Sequence, residues 1–156
     1  MADVLSPEQR RLNMSRIRSR DTKPEMLVRK GLHALGLRYK LHDRNLPGRP
    51  DLVFPKYRTV VFVHGCFWHA HGCALSKLPT SRRDFWAKKL EGNSSRDRKA
   101  VETLLTMGWH VLVIWECALR GPHRLPYEEL LNCVACYVVT GSTSATEISG
   151  NGRSVI

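Results

Sequence analysis

The stretch from Gly48 to Cys73, Gly-Arg-Pro-Asp-Leu-Val-Phe-Pro-Lys-Tyr-Arg-Thr-Val-Val-Phe-Val-His-Gly-Cys-Phe-Trp-His-Ala-His-Gly-Cys, constrains the fold more than any other. Its two apolar runs, Asp51 to Phe54 and Thr59 to Val63, are rich in β-branched and aromatic residues. Pro-Lys-Tyr-Arg separates them, which predicts a strand, a turn and a buried strand. Such a hairpin brings Asp51 at its start, His64 at its end, and Cys66, His69, His71 and Cys73 in the loop beyond into one neighbourhood.

The rest of the chain builds around that hairpin. Thr22-Lys-Pro-Glu25 reads as a capping box with proline in the first turn, and the helix it opens ends near Gly36. Capping alone is a sufficient role for Glu25. Apolar alternation from Leu37 to Leu41 suggests another strand. Ser81-Arg-Arg-Asp84 can cap a helix carrying Phe85, Trp86, Lys88 and Lys89, which Gly92-Asn93-Ser94 interrupts; a second helix then runs to about Met107. Trp109 to Trp115 is apolar on both faces and reads as a central strand, and a last helix spans about Pro126 to Val138. This order predicts an α/β domain over residues 21–139, a mixed sheet flanked by helices. A basic arm precedes it at residues 1–20, and residues 140–156, rich in Ser, Thr and Gly, are expected to be a disordered tail.

Lys and Arg number 25 against 14 Asp and Glu, a net charge of +11, which favours a polyanionic partner and above all nucleic acid. No apolar run approaches a membrane span or a signal peptide, so a soluble intracellular protein is expected. Arg10, Arg11, Arg16, Arg18 and Arg20 form either a solvated arm or a helix that clamps a phosphate backbone, with Met14 and Ile17 as apolar wedges between base pairs.

Five cysteines without an export signal argue against a disulfide framework. Cys66, His71 and Cys73 cluster in the loop, and Cys117 follows the strand ending at Trp115. If the two strands are neighbours, three cysteines and a histidine close a tetrahedral zinc site of the structural kind. By spacing alone, His69 is an alternative fourth ligand. Cys133 and Cys136 read as ordinary helix packing. Pro50-Asp51 followed by Phe62-Val63-His64 has the outline of a nuclease motif, in which a strand carboxylate and the next strand hold magnesium over a phosphate. His69 can take a proton from water, and His64 can offer charge to the phosphate. Phe67, Trp68 and Trp86 either pack around the zinc or stack on exposed bases.

Together, Gly48-Arg-Pro-Asp51, Val63-His-Gly-Cys-Phe-Trp-His69, His71-Gly-Cys73, Phe85-Trp86, Arg96-Asp-Arg98 and Gly108 through Gly121 closely resemble the very short patch repair DNA mismatch endonucleases of bacteria, over about residues 10–121. The resemblance implies a restriction-endonuclease-like fold with a structural zinc on Cys66, His71, Cys73 and Cys117. It implies nicking 5′ of the thymine in T:G mismatches left by deamination of 5-methylcytosine. It leaves His69 as general base, oriented by Asp97, and gives magnesium to Asp51 and the backbone carbonyl of Val63. His64 then supports the phosphate and Glu25 helps through the metal's water shell. Phe67, Trp68 and Trp86 enter one groove, Met14 and Ile17 the other, while Lys89 and Asn93 read the mismatch. The expected agent is a monomer acting on double-stranded DNA in the bacterial cytoplasm, at the nucleoid and not at a membrane, with mismatch-repair proteins as candidate partners. Two rivals are a zinc-stabilised DNA-binding module that does not cut, and a nuclease that cuts both strands of matched DNA.

Overall fold

Six strands form one sheet in the order of the chain: β1 (Lys40–Leu41), β2 (Leu52–Phe54), β3 (Thr59–His64), β4 (His110–Trp115), β5 (Thr146–Ser149) and β6 (Gly152–Val155). The computed structural model describes residues 6–15 and 20–156, without the side chains of Arg10, Asn13, Met14 and Ser15. Pairing is antiparallel for β1–β2, β2–β3 and β5–β6 and parallel for β3–β4 and β4–β5, so the sheet is mixed, as expected. Each parallel pair is joined by a crossover helix, α3 (Arg83–Thr106) between β3 and β4 and α4 (Tyr127–Thr140) between β4 and β5.

Alternate residues of the central strands feed opposite faces. Leu52, Phe54, Val61, Val63, Leu112 and Ile114 pack under α4 and under α2 (Lys23–Ala34). Val53, Val60, Phe62, Val111, Val113 and Trp115 pack under Val101 and Leu104 of α3. A strand covered on both faces is apolar along its middle, Val60 to Val63 in β3 and Val111 to Trp115 in β4, which is why both could be read from hydrophobicity alone. Helix α2 begins as the sequence indicates: the Thr22 side chain accepts the Glu25 N–H at 3.4 Å. It ends in a glycine-dependent motif, with Gly36 at φ +90° and the Leu37 N–H reaching the Leu32 carbonyl at 3.1 Å. Helix α1 (Pro7–Ser15) opens with a reciprocal cap, the Gln9 N–H donating to Ser6 Oγ and the Ser6 N–H to Gln9 Oε1.

Three expectations need correction. The strand foreseen from Leu37 to Leu41 is only Lys40–Leu41, because Leu37 is buried by the turn that ends α2. Helix α3 is continuous through Gly92-Asn93-Ser94. A mid-helix glycine costs only about 1 kcal/mol, and Asn93 spends its side chain on tertiary contacts, donating to the Trp68 carbonyl at 3.0 Å. Residues 146–155, expected to lie in a disordered tail, are strands β5 and β6, which cover the open edge of β4. Helix α1 lies in the basic arm and its described side chains are exposed. The side chain of Met14 and all of Ile17 lie outside the described residues, so their wedge role is not tested by geometry.

Candidate active site and metal centre

The parallel register of β3 and β4 decides the geometry. His64 lies opposite Trp115, so both strands end at the same edge of the sheet. The loop after β3 supplies Cys66, His71 and Cys73, and the short turn after β4, Glu116–Ala118, supplies Cys117. Their donor atoms all lie within 4.8 Å of one another. The loop is curled by the His71 N–H donating to the Cys66 carbonyl at 3.0 Å. Around the sulfurs, the Cys117 N–H donates to Cys66 Sγ and the Gly150 N–H, at the β5–β6 turn, donates to Cys117 Sγ, each at 3.3 Å. His71 stacks on Trp115 with ring centroids 4.2 Å apart.

Burial first, and neighbouring thiols second, push the Cys66 thiol well above its ordinary value; burial also raises Cys117 and lowers His71. Cys73 goes the other way: burial raises it, but the Leu75 N–H and the neighbouring thiols outweigh burial and lower it. Three sulfurs with one imidazole are the donor set of a thiolate-binding cation and leave no open position. This cluster can hold a metal such as zinc. Cys133, half-buried against the core, and the exposed Cys136 lie apart from it on α4.

His69 is not in that cluster. Its Nδ1 lies 2.5 Å from Asp97 Oδ2 of α3, and its ring stacks on His64 at 3.8 Å with 5° between planes. The fold thus places His69 outside the sulfur cluster, where spacing alone had offered it as an alternative fourth ligand, and brings it together with Asp97. His64, Val63 and Asp51 line the same cleft, about 460 Å³ in volume. Asp51 sits one residue before β2 and its Oδ2 accepts the Val63 N–H at 2.7 Å. Burial, and then the negative charge of Glu25, push the Asp51 carboxyl up to about 8, against the opposing pull of the Val63 N–H. A carboxylate so disfavoured fits a cation partner.

His64 is buried, and burial first and His69 second hold its pKa well below the ordinary value. Burial thus disfavours the positive charge expected of it at the phosphate. Its buried Nδ1 has no hydrogen-bond partner among the described residues.

Glu25 is more than a cap. It is buried, and its carboxylate is gripped by Arg29 Nη1 at 2.8 Å and His42 Nε2 at 3.0 Å while it accepts the Asp21 N–H at 3.3 Å. Arg29 also pairs with Asp21 at 2.6 Å and lowers its carboxyl. Arg29 and His42 were missed in the sequence. One signal existed: extending an antiparallel pairing of the strand ending at Leu41 with that beginning at Leu52 sets His42 opposite Asp51.

Beside the cleft, Phe67, Trp68 and Trp86 form an aromatic group with centroids 5.0 to 5.8 Å apart, each half-buried, and Lys89 Nζ lies 5.4 Å from Trp86 and 5.8 Å from Trp68. They pack on one another at the N-terminal half of α3, next to the loop but away from the protein interior.

The family model for the DNA mismatch endonuclease Vsr matches residues 2–75. The DNA mismatch endonuclease Vsr of Escherichia coli is 47% identical over 130 residues, 83% of this chain and 83% of that protein. The chain belongs to the Vsr family of DNA mismatch endonucleases. Type II nicking enzyme V.XorIIP of Xanthomonas oryzae is 52% identical over 119 residues, 76% of this chain and 88% of that protein. Type II nicking enzyme V.NmeAIP of Neisseria meningitidis is 45% identical over 121 residues, 78% of this chain and 86% of that protein. The Vsr model spans Glu25, Asp51, His64, His69 and three members of the sulfur cluster, whereas Asp97 and Cys117 lie beyond it and reach the site through α3 and β4.

Proposed function

We propose that this chain is a strand-specific endonuclease that nicks DNA 5′ of the thymine in a T:G mismatch, on a restriction-endonuclease-like fold. The observation that carries the reading is the pairing of His69 with Asp97 across a cleft from Asp51. A binding module needs no such arrangement. Relatives named as mismatch endonuclease and nicking enzymes support the activity, and the +11 charge supports DNA as partner.

Asp97 accepts the Nδ1 proton of His69, fixes its tautomer and leaves Nε2 free to take a proton from water. His64 holds a phosphate oxygen by hydrogen bonding. Asp51 and the Val63 carbonyl would hold magnesium, which when bound neutralises charge on the phosphate. Glu25 would act through its water shell. Cys66, His71, Cys73 and Cys117 would hold a structural zinc that fixes the loop bearing His69. Phe67, Trp68 and Trp86 insert beside the mismatch, with Lys89 and Asn93 reading it, and Met14 and Ile17 approach from the other groove. The protein works as a monomer in the bacterial cytoplasm; no helix among the described residues is long and apolar enough to cross a membrane.

The test is single-turnover cleavage of a labelled T:G duplex beside its matched control, with magnesium. One nick in the thymine strand of the mismatched duplex is expected. Binding without cleavage would leave only a recognition module, and cutting of both strands in matched DNA would make it a restriction-type nuclease.

A further inference from the structure

Strand β1 is two residues long and exposed, yet it places one side chain with care. Its pairing with β2 continues one step further, the His42 N–H donating to the Asp51 carbonyl at 3.2 Å. His42 adopts φ +47°, a left-handed conformation that non-glycine residues rarely take and that the surrounding structure must enforce. From there its Nε2 reaches both Glu25 oxygens, at 3.0 and 3.1 Å, and stands 3.9 Å from Asp51 Oδ1. Glu25 comes from α2 and Asp51 from the β2 hairpin, and the imidazole, hydrogen-bonded to Glu25 and 3.9 Å from Asp51, lies between the two. Asp21, Glu25 and His42 have the spacing of a metal site, but Arg29 Nη1 already stands 2.6 Å from Asp21 and 2.8 Å from Glu25 and supplies the positive charge. Instead of binding an ion, this group anchors a carboxylate.

We propose that His42 is a positioning residue that ties Glu25 to Asp51 and thereby sets where both carboxylates stand in the cleft. The proposal rests on the nuclease reading above. Arg29 holds Glu25 to Asp21, and His42, bonded to Glu25 through its ring and to the Asp51 carbonyl through its backbone N–H, holds Glu25 toward Asp51. With the bridge removed, Glu25 stays ion-paired and the protein stays folded, but the carboxylates lose their mutual register. Turnover and divalent-ion affinity then suffer, and DNA binding does not.

The experiment uses the full chain as wild type, His42→Leu, His42→Gln, Glu25→Gln and the double variant Glu25→Gln/His42→Leu, in single-turnover nicking of a T:G duplex over a magnesium series. His42→Leu should slow nicking by about 10- to 100-fold, the usual loss when a residue supporting a metal-ligating group is removed. It should also raise the magnesium concentration needed for half the maximal rate. Binding of Mn2+ to the free protein, read by electron paramagnetic resonance, should weaken in parallel, while mismatch affinity and zinc content stay unchanged. His42→Gln keeps an N–H donor and should recover most of the rate. In the Glu25→Gln background, His42→Leu should cost little more, because the two act as one unit. Should His42→Leu fail to fold, His42→Asn, polar but too short to reach both carboxylates, carries the same expectation. Full activity of His42→Leu at ordinary magnesium, no recovery by glutamine, or additive losses in the double variant each overturn the proposal. Wild-type protein that leaves the T:G duplex uncut sinks the nuclease reading itself, whereas active wild type with an indifferent His42 sinks only this inference.

Discussion

Two histidines separated by one residue face different groups, and the backbone makes the separation. His69 and His71 flank Ala70, which takes φ +53°, so the chain turns between them and aims one ring at Asp97 and the other at the sulfur cluster. Their loss should therefore be distinguishable. His69→Ala should lose nicking activity by about 100- to 10,000-fold, the range for a missing general base, with the residue rising with pH as hydroxide replaces it. Its zinc content, read by elemental analysis, should equal that of the wild type. Cys117→Ser should instead lose zinc and melt at lower temperature, since it removes one of the four donors, while Cys133→Ser should keep its metal. Full zinc in Cys117→Ser would remove Cys117 from the ligand set, and zinc loss in His69→Ala would exchange the roles of His69 and His71.

At the scale of elements, legibility followed the range of the forces that define each one. Helix α2 was readable because its start and stop are set by Thr22 and Gly36 within a few residues of each end, and β3 and β4 because burial on both faces leaves a continuous apolar run. Strands β5 and β6 were not readable: Thr-Glu-Ile-Ser and Gly-Arg-Ser-Val look like linker until the edge of β4 offers hydrogen bonds to β5, and β5 in turn to β6. In the site, the metal-ligating types at Cys66, His71, Cys73 and Cys117 announce themselves by chemistry, whereas Arg29 and His42 gain a role only through the meeting of α2 with β1 and β2. The false break in α3 has the same origin, since local propensity at Gly92 lost to packing of Leu90 just before it and of Val101 and Leu104 farther along the helix. That helix offers a direct check. A Cβ at Gly92 would meet only Arg96 Nη1, at an ordinary 3.6 Å, so Gly92→Ala should raise stability by about 0.5 to 1 kcal/mol through reduced freedom of the unfolded chain. Chemical denaturation would measure it, and a destabilised Gly92→Ala would mean that α3 is strained at that turn.

For the molecule as a whole, the cleft is a place where folding works against ionisation, and this should appear as a pH dependence of stability. Asp51 titrates near 3.8 in an unfolded chain but is pushed up to about 8 in the fold, first by burial and then by Glu25. Between those values the native protein holds a proton that the unfolded chain has released. Stability therefore falls as pH rises across that window: the contribution of Asp51 is fully present below about pH 4 and is gone above about pH 8. His64 acts with the opposite sign, because a histidine held neutral by burial costs stability only as pH falls below its unfolded value of 6.5. Melting temperatures from pH 6.5 to 8.5 isolate the carboxylate. Divalent cation should be omitted, not chelated, so that a metal on the sulfur cluster would not be stripped. The wild type should lose stability across this range more steeply than Asp51→Asn, which cannot ionise. Magnesium added at pH 8.5 should then raise the melting temperature of the wild type and leave Asp51→Asn unmoved, because a bound cation favours the ionised carboxylate that burial disfavours. Parallel pH curves for the two proteins would show that Asp51 is not held protonated by the fold, and an equal response to magnesium would place the ion elsewhere.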